Sequence, residues 1–310
     1  MGAQELTKPV DHASFLHFVA DIRPELHRYC ARMTGSVIDG EDLLQDTLLK
    51  AFATLPQLAE VANVRAWVFR LAHNQAVDCW RSYEQRSRTS LDAPGDLADA
   101  SDFGAAADEV LCREQALNEA LSCFLELPPL QRSCVILKDV LNHSLDEIAG
   151  WLATTVPAVQ AALHRARRGL VERRLGAPRA ELESAVVSAE LSRYAALFNA
   201  HDWDALRNLL RDDVQLDVVA RPSKRGRRDV ASYFGNYAKI SDWQVVPGLL
   251  DNREVLAVFR AGSARPAYVI EVVFESGRAR SIRDFHHVPY VISDARIALT
   301  AEPLLVLNAP

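Results

Sequence analysis

Three closely spaced arginines, Arg165, Arg167 and Arg168, could bind the phosphates of a nucleic acid. They end the stretch Ser144–Arg168, in which two apolar runs with helical spacing flank a short turn. Thr155 is placed to cap the second helix through its hydroxyl. The pattern predicts a helix-turn-helix, a unit that places its second helix in the major groove of DNA.

The second helix of this unit offers few groups that read bases. Gln160 could pair with adenine or bridge a phosphate, whereas Ala161 and Ala162 offer only apolar contact. Because such base contacts are few, we expect this helix to bind DNA weakly by itself. The residues expected to face DNA are Thr155, Ala158, Gln160, Ala161, His164, Arg165, Arg167 and Arg168.

A second set of residues suits a protein partner. At helical spacing they form an acidic and amide-rich ridge with apolar anchors on one predicted helix face. Carboxylates repel phosphates, so the ridge fits a protein groove better than DNA; a solvated helix face is the alternative. The residues of this ridge are Asp42, Leu43, Gln45, Asp46 and Leu49.

The elements that position these residues are predicted from periodicity and turn signals. Residues 12–83 form a helical block with a break at Gly35–Gly40, and residues 84–110 form an acidic flexible linker. Residues 111–176 form a second helical block. In residues 181–300, two helices precede segments of alternating apolar and polar residues, which indicate strands. The predicted fold class is multidomain, with two all-α domains followed by an α+β domain.

The charge distribution argues against a general nucleic-acid coat. The chain of 310 residues carries a net charge of −6, and residues 1–110 alone account for −7. Residues 111–180 carry +2, and this small excess falls on the predicted helix-turn-helix. Bulk electrostatics would therefore hold DNA weakly, so a partner protein is expected to keep the chain on its site.

Cysteine spacing and hydropathy exclude several classes of protein. The five cysteines form no CxxC pair and lie near no histidine cluster with metal spacing, so we expect no metal and no cofactor. No apolar run is long enough to span a bilayer, and the first residues lack the pattern of a signal peptide. A cytoplasmic protein that binds no membrane is the expectation.

Three motifs together resemble the extracytoplasmic-function sigma factors, a compact class of bacterial transcription initiation factors. They are DGEDLLQDTLLKAF at residues 39–52, VRAWVFRLAHNQAVDCWRSYEQR at residues 64–86, and LPPLQR followed by DEIA within residues 116–170. The resemblance implies that residues 12–83 are sigma region 2 and that residues 111–176 are sigma region 4.

The resemblance also implies a role for each motif. The ridge around Asp42–Leu49 would dock on the β′ clamp of core RNA polymerase. The helix at residues 64–86, with the loop before it, would recognise the −10 element and melt the DNA. Region 4 would read the −35 element and meet the β flap. The residues that this resemblance assigns to −10 recognition and melting are Gln57, Asn63, Arg65, Arg70, Asn74 and Arg81.

Residues 181–300 resemble the SnoaL-like branch of the NTF2-like fold, which implies a conical barrel around a cavity. The matching stretches include RYAALFNAHDWDALRNLLRDDVQLDV and VIEVVFESGRARSIRDFHH. Asp284 and His286 could act as an acid/base pair, yet their alternation with Phe285 is typical of any half-buried strand. We therefore expect no catalytic residue. The candidate cavity residues are Tyr194, Trp203, Asp217, Tyr237, Asp284 and His286.

The sequence therefore predicts a sigma factor rather than an enzyme. Its partners would be core RNA polymerase, promoter DNA, and a small ligand or regulatory protein at the SnoaL-like domain, which would regulate the chain in cis. Two alternatives stay open, because fold alone does not determine function. One is a SnoaL-like cyclase or isomerase fused to a DNA-binding module, and the other is a helix-turn-helix repressor that acts without polymerase.

Overall fold

The chain divides into two compact units, residues 1–178 and 179–310. Each unit has its own hydrophobic core. Gln57 and residues 88–110 lie outside the described part of the chain, so the predictions made for them stay untested. The computed structural model describes residues 12–54, 63–87, 121–176, 186–240, 242–293, 295 and 297–301.

The first unit is helical in the part of the chain that the structure describes. We call the helices before the predicted linker the first half and those after it the second half. The first half contains α1 (His12–Thr34), α2 (Val37–Thr54) and α3 (Val64–Ser87). The second half contains a 3₁₀ turn (Leu121–Glu126), α4 (Pro129–Val135), a π-helix (Ile136–Val140), α5 (Leu145–Trp151) and α6 (Val156–Gly176).

Two boundaries in the first half differ from the prediction. α3 continues to Ser87, into the segment predicted as linker, because Glu84, Gln85 and Arg86 all favour helix. The predicted break at Gly35–Gly40 is also shorter than expected. Only Gly35 and Ser36 lie between the two helices, and Gly35 has a φ of 76°, as glycine commonly does after a helix end.

Gly40 lies inside α2, where this helix crosses α1. A Cβ at this position would lie 2.5 Å from both the Cα and the backbone nitrogen of Ala31. Contacts this short involve backbone atoms, which cannot rotate away as the end of a flexible side chain can. The two helices therefore cross at a separation that glycine alone permits.

We expect Gly40→Ala to lower the free energy of unfolding by about 1–3 kcal/mol, because the added methyl forces α1 and α2 apart. Gly150→Ala is the matched control, since Gly150 also lies in a helix but a Cβ added there would meet no atom within 4 Å. That change should be neutral or stabilise by up to about 1 kcal/mol. Urea unfolding followed by circular dichroism compares the two, and equal midpoints would contradict the crossing argument.

One core joins the two halves of the first unit. Phe69 of α3 stacks on Trp151 of α5, with ring centroids 4.9 Å apart and an interplanar angle of 23°. Both side chains are almost fully buried. The second half therefore packs on the first through aromatic surface that neither half could leave in water without cost.

The second unit combines three α-helices and a 3₁₀ turn (Pro289–Ile292) with a sheet in its described residues. The helices are α7 (Ala189–Asn199), α8 (Trp203–Asn208) and α9 (Arg227–Tyr237). The strands are β1 (Leu210–Val218), β2 (Lys224–Arg225), β3 (Trp243–Leu250), β4 (Arg253–Arg260), β5 (Tyr268–Glu275), β6 (Arg278–Asp284) and β7 (Ile297–Leu299). This arrangement confirms the predicted α+β class.

The sheet is open, so the predicted conical barrel is wrong in that respect. Its strand order is β2-β1-β6-β5-β4-β3-β7, with β1 parallel to β6 and the other neighbours antiparallel. The edge strands β2 and β7 are two and three residues long, too short to pair with each other and close the sheet. A tight hairpin turn joins β5 to β6, where Glu275 pairs with Arg278 and where Ser276 and Gly277 have positive φ.

Candidate functional site

The start of α5 is fixed by a capping box. The Ser144 hydroxyl accepts a hydrogen bond from the Glu147 N–H, and the Glu147 carboxylate accepts one from the Ser144 N–H at 2.8 Å. The bond from the Ser144 N–H lowers the pKa of the Glu147 carboxyl. The glutamate of the DEIA motif therefore sets where the first helix of the helix-turn-helix begins.

The turn between α5 and α6 follows the sequence prediction. Ala153 adopts a φ of 51°, and the Thr154 N–H donates to the Ala149 carbonyl at 2.9 Å. The Thr155 hydroxyl accepts from the Ala158 N–H at 3.4 Å, so Thr155 caps α6 as expected. Pro157 lies in the first turn of α6, where a missing N–H costs nothing.

The predicted DNA-facing residues of α6 divide into three groups by exposure. Ala158 and Gln160 are half-buried, and Ala162 is fully buried in the core rather than available to a base. Arg167 is also half-buried, and its guanidinium contacts a carboxylate of the π-helix. Those that are exposed to solvent are Thr155, Ala161, His164, Arg165 and Arg168.

Arg167 binds a carboxylate within the first unit. Its Nε and one terminal nitrogen donate to the two oxygens of Asp139, at 3.0 Å and 2.6 Å. Asp139 lies in the π-helix and is 2% exposed, whereas the Arg167 side chain is 22% exposed. The prediction of Arg167 as a phosphate ligand therefore needs correction, because a bidentate pair with a buried carboxylate holds its guanidinium against the π-helix.

We expect Asp139→Ala to lower the free energy of unfolding by about 2–3 kcal/mol, because Arg167 loses its buried partner. The figure is at the low end for a buried pair because part of Arg167 remains in solvent. Arg168→Ala, one position along the same helix but exposed, should change stability by less than about 0.5 kcal/mol. Thermal unfolding of the two variants checks the contrast. An Asp139→Ala protein as stable as wild type would refute the structural role of the Arg167–Asp139 pair.

The acidic ridge of α2 is exposed at three of its five residues. Asp42, Asp46 and Leu49 face solvent, and the Leu49 side chain is 68% exposed. Gln45 is half-buried and donates to Glu41 at 3.2 Å. Leu43 is buried in the core, so its predicted role as an apolar contact for a partner is wrong. The three exposed residues share one face of α2, whereas the side chain of Leu43 packs into the core.

The predicted melting residues on α3 are mostly exposed. Asn63 caps this helix, since its side-chain oxygen accepts from the Ala66 N–H at 2.9 Å. Arg70, Asn74 and Arg81 face solvent. Arg65 differs, because its guanidinium bonds Glu25 of α1 and lies over the Phe69 ring.

A set of polar residues between the two halves was missed by sequence reasoning. Tyr29 of α1, His73 of α3 and Ser133 of α4 approach one another, with Ser133 Oγ 2.8 Å from both the Tyr29 hydroxyl and His73 Nδ1. Burial lowers the pKa of His73 and raises that of Tyr29. Both groups therefore stay neutral in this contact near pH 7.

Glu25 forms a second polar contact between the halves. Its carboxylate lies 2.8 Å from His143 Nε2, at the loop before α5, and also accepts from Arg65. Burial raises the pKa of Glu25, but the bonds from His143 and Arg65 outweigh it and lower the pKa overall. Glu25 therefore stays ionised and links α1, α3 and the second half.

The arginine of the LPPLQR motif is the third contact between the halves. Arg132 is 1% exposed and donates to the Met33 carbonyl of α1 at 2.7 Å. It also donates to the carbonyls of Leu125 and Leu127. Burial lowers the pKa of this guanidinium to about 10, so it remains charged. The motif could have suggested a structural arginine, but not its partners.

In the second unit, three of the candidate cavity residues come together. Tyr237 and Tyr233 of α9 donate hydrogen bonds to one oxygen of Asp284, the latter at 2.6 Å. The other Asp284 oxygen accepts from the His286 N–H at 2.8 Å. Burial and the Asp284 charge raise the pKa of both tyrosines, which stay protonated as donors. Tyr194 is fully buried in the same core.

The other candidate cavity residues do not join this cluster. Asp217 lies on the opposite face of the sheet, where it pairs with Arg283 at 3.5 Å. β6 ends at Asp284, so His286 follows the strand rather than alternating along it, and its ring is exposed against Tyr268. Trp203 is half-buried between the rings of Phe198 and Phe234.

Aromatic side chains pack together in the interior where a cavity was predicted. Phe198 contacts the rings of Tyr237 and Trp243, with centroids 5.2 Å and 4.7 Å away. A groove of about 500 Å³ lies elsewhere on this unit, lined in part by Ser188 and Arg253. Large rings therefore pack close to the Asp284 cluster, and the predicted cavity stays a prediction.

Membrane-spanning helices and metal clusters are both absent from the described residues. None of the helices there combines the length and apolar character needed to cross a bilayer. Likewise, among the residues that the structure describes, no three His, Cys, Asp or Glu side chains are grouped so that they could hold a metal ion.

Sequence comparison matches the two halves of the first unit to two families. Residues 18–87 match Sigma-70 region 2, and residues 117–170 match Sigma-70, region 4. The ECF RNA polymerase sigma factor SigG of Mycobacterium tuberculosis is 33% identical over 210 residues, covering 60% of this chain and 56% of SigG. The chain thus spans little more than half the length of that relative.

A second relative is matched over most of its length. The ECF RNA polymerase sigma factor SigF of Caulobacter vibrioides is 30% identical over 166 residues, covering 53% of this chain and 87% of SigF. Among solved structures, an NTF2-like protein with a cystatin-like fold from Novosphingobium aromaticivorans is 20% identical, with a TM-score of 0.26. The match covers 39% of this chain and 85% of that protein.

Proposed function

We propose that the chain binds core RNA polymerase and directs promoter-specific transcription initiation. This proposal rests on the family, because the chain belongs to the ECF RNA polymerase sigma factors. The observation that carries this proposal is the order of regions 2 and 4 in one unit, each with an exposed candidate surface. The chain would act by binding rather than by catalysis. A protein with this function works in the cytoplasm, where polymerase and chromosome meet.

Core polymerase would bind the exposed ridge of α2. Asp42 and Asp46 supply charge to this ridge, and Leu49 supplies apolar surface that is left in water in the free protein. An exposed leucine flanked by carboxylates can supply the apolar centre of an interface with a polar rim. The proposed partner surface is the β′ clamp, with the β flap meeting region 4.

Promoter DNA would be held at two places. Arg70, Asn74 and Arg81 on α3 supply cationic and amide groups for the −10 element and the melted strand. On α6, Arg165 and Arg168 would bind phosphates, while Gln160 supplies the amide that reads a base. Because these charges are few and the chain is acidic overall, the polymerase has to contribute much of the affinity.

We expect Leu49→Ala to weaken binding to core RNA polymerase about tenfold, because truncating an interface anchor costs at least about 1–2 kcal/mol. Leu16→Ala on α1 is the matched control, since Leu16 is also exposed, at 55%, but lies outside the ridge. Fluorescence anisotropy with purified core enzyme measures both affinities, and run-off transcription measures the consequence.

Binding and turnover assays on the same protein separate the alternative functions. A repressor independent of polymerase would bind duplex promoter DNA tightly without core enzyme, and Leu49→Ala would leave that binding unchanged. An enzyme would lose turnover of its own substrate on Asp284→Asn. If the wild-type chain neither binds core enzyme nor supports run-off transcription, the proposed function is wrong.

We also propose that the second unit regulates the sigma unit in cis, with a small ligand or a regulatory protein as its effector. Support comes from a core of its own, which lets this unit respond without unfolding the first. A chain ending at Ala177 should differ from the full chain by at least threefold in core binding or run-off transcription. Identical behaviour of the two chains in both assays would remove the regulatory proposal.

A further inference from the structure

A run of cationic residues in the second unit has no part in the proposed function. Residues 219–228, VARPSKRGRR, contain five basic and no acidic residues, so the other 300 residues carry a net charge of −11 while the whole chain carries −6. The run follows β1, forms the edge strand β2 and enters the first turn of α9. Positive charge is therefore concentrated at one place in an otherwise acidic chain.

Four of the five cationic side chains are exposed to a partner. Arg227 is the exception, because its guanidinium donates to the Leu210 carbonyl at 2.8 Å and pairs with Asp212. Lys224 donates to the Ser232 hydroxyl at 3.0 Å but stays exposed. The other three guanidinium groups form no hydrogen bond or ion pair with any residue that the structure describes. We call the four exposed residues the basic edge: Arg221, Lys224, Arg225 and Arg228.

Nearby carboxylates neutralise the basic edge only in part. Asp212 is already paired with Arg227, and both oxygens of Asp213 accept hydrogen bonds from Arg211. Asp229, which is exposed in the first turn of α9, offsets part of the remaining charge. The basic edge therefore keeps a net positive charge in the folded unit.

Cationic groups from a second element lie beside the start of the run. Burial lowers the pKa of His287, and the charges of His286 and Arg221 lower it further. Both histidines follow β6, which is parallel to β1, so the two strands end at the same side of the sheet. An anion bound at this side would relieve the repulsion among these groups.

The position of Arg228 is unfavourable for the helix that contains it. Arg227 and Arg228 begin α9, and the first turn of a helix carries a partial positive charge that favours carboxylates over cations. Arg227 offsets this cost through its bonds to Leu210 and Asp212. Since Arg228 has no such contact among the described residues, its charge brings no stability to the fold.

Protection of the sheet edge explains only part of the basic edge. Charged side chains on an edge strand prevent two sheets from pairing edge to edge, and Lys224 and Arg225 of β2 suit that role. Arg221 and Arg228 lie outside β2 and do not contribute to it. Residues that break a local rule without a stabilising gain are typical of functional sites.

The chemistry of the basic edge fits duplex DNA. Three of its four residues are arginines, whose planar guanidinium groups match the oxygens of a phosphate. Binding to a membrane surface would gain from exposed apolar side chains, and none of the large ones found among the described residues lies within residues 219–228. The candidate DNA contacts of the first unit carry few charges, so further phosphate contacts would supply affinity that they lack.

We propose that the basic edge binds the phosphate backbone of duplex DNA, so that the second unit adds a contact to those of the first. This contact holds the chain on DNA without reading bases. The inference goes beyond the proposed function. Contact with promoter DNA rests on that function, whereas binding of DNA by the free chain does not.

The test compares two triple variants of the full chain by fluorescence anisotropy, on a labelled duplex of unrelated sequence and without polymerase. The edge variant replaces the three arginines of the basic edge: Arg221→Gln, Arg225→Gln and Arg228→Gln. The control variant replaces three exposed arginines elsewhere in the same unit: Arg193→Gln, Arg265→Gln and Arg278→Gln. Both variants lose the same charge, so a difference between them depends on where the charge lies.

The edge variant should bind the duplex at least tenfold more weakly than wild type at about 0.1 M salt, because each lost phosphate contact no longer releases counterions. The slope of log K against log salt concentration should become shallower by about 2–3, close to one for each arginine. The control variant should keep the wild-type slope. Lysine at the three positions of the basic edge should restore most of the slope, since it keeps the charge.

A second measurement uses the complex of the chain with core polymerase on promoter DNA. Hydroxyl-radical footprinting should show a protected segment of backbone with the wild-type chain that is lost with the edge variant. The control variant should leave that segment protected. A footprint that is the same for all three chains would overturn the contact with promoter DNA.

Other results would overturn DNA binding by the basic edge itself. These are an edge variant with the wild-type slope, or an equal loss of affinity in both triple variants. Weaker binding of the edge variant to core enzyme without DNA would assign the surface to a protein partner instead. Loss of binding to phosphatidylglycerol vesicles, with DNA binding unchanged, would assign it to a membrane.

Two controls keep these outcomes distinct. Circular dichroism confirms that each variant is folded, and Arg225→Gln alone, with a change in slope of about one, serves if the triple variant is not. If the wild-type chain does not bind core enzyme, the proposed function is wrong, while the salt dependence of the free chain still tests the basic edge.

Discussion

The first unit depends on a buried cation that has main-chain carbonyls for partners. Arg132 reaches from α4 to the Met33 carbonyl, in the last turn of α1, where helix carbonyls lack partners of their own. Its remaining bonds hold the 3₁₀ turn that leads into α4. Because an unsatisfied buried guanidinium is costly, the end of α1 and the start of the second half must meet at one geometry. The same geometry places Tyr29 beside Ser133 and Glu25 beside His143 at hydrogen-bonding distance.

The helix-turn-helix was largely predictable because its determinants are local. Ser144 with Glu147, and Thr155 with the N–H three residues later, are contacts within one turn, so residue types and spacing are enough to foresee them. The contacts of Arg167 and Ser133 were not predictable in the same way. The partner of Arg167 lies 28 residues away and those of Ser133 lie 60 and 104 residues away, and no local spacing rule connects such positions. The predicted role of Arg167 failed for this reason.

The second unit shows a different limit of sequence reasoning. Alternating segments identified the class of fold and several strands, but not whether the interior was empty or filled. Asp284 and Tyr237 were both named as cavity candidates and bond each other, and the rings of Phe198 and Trp243 pack beside Tyr237. Interior volume is the sum of many side chains from separate elements, so no single motif reports it. The prediction that Asp217 lies with Asp284 was wrong because Asp217 pairs with Arg283, and a strand directs neighbouring residues to opposite faces.

The close crossing at Gly40 sets how α2 is aimed. Asp42, the first residue of the ridge, follows Gly40 by two positions, so the ridge begins at the crossing and extends away from it along α2. Any change that rotated α2 about this crossing would displace Leu49, at the far end of the ridge, more than Asp42. If a protein partner binds this ridge as proposed, the direction of its approach depends on the missing Cβ of Gly40. Substitutions well inside the molecule could therefore alter partner choice without touching the surface itself.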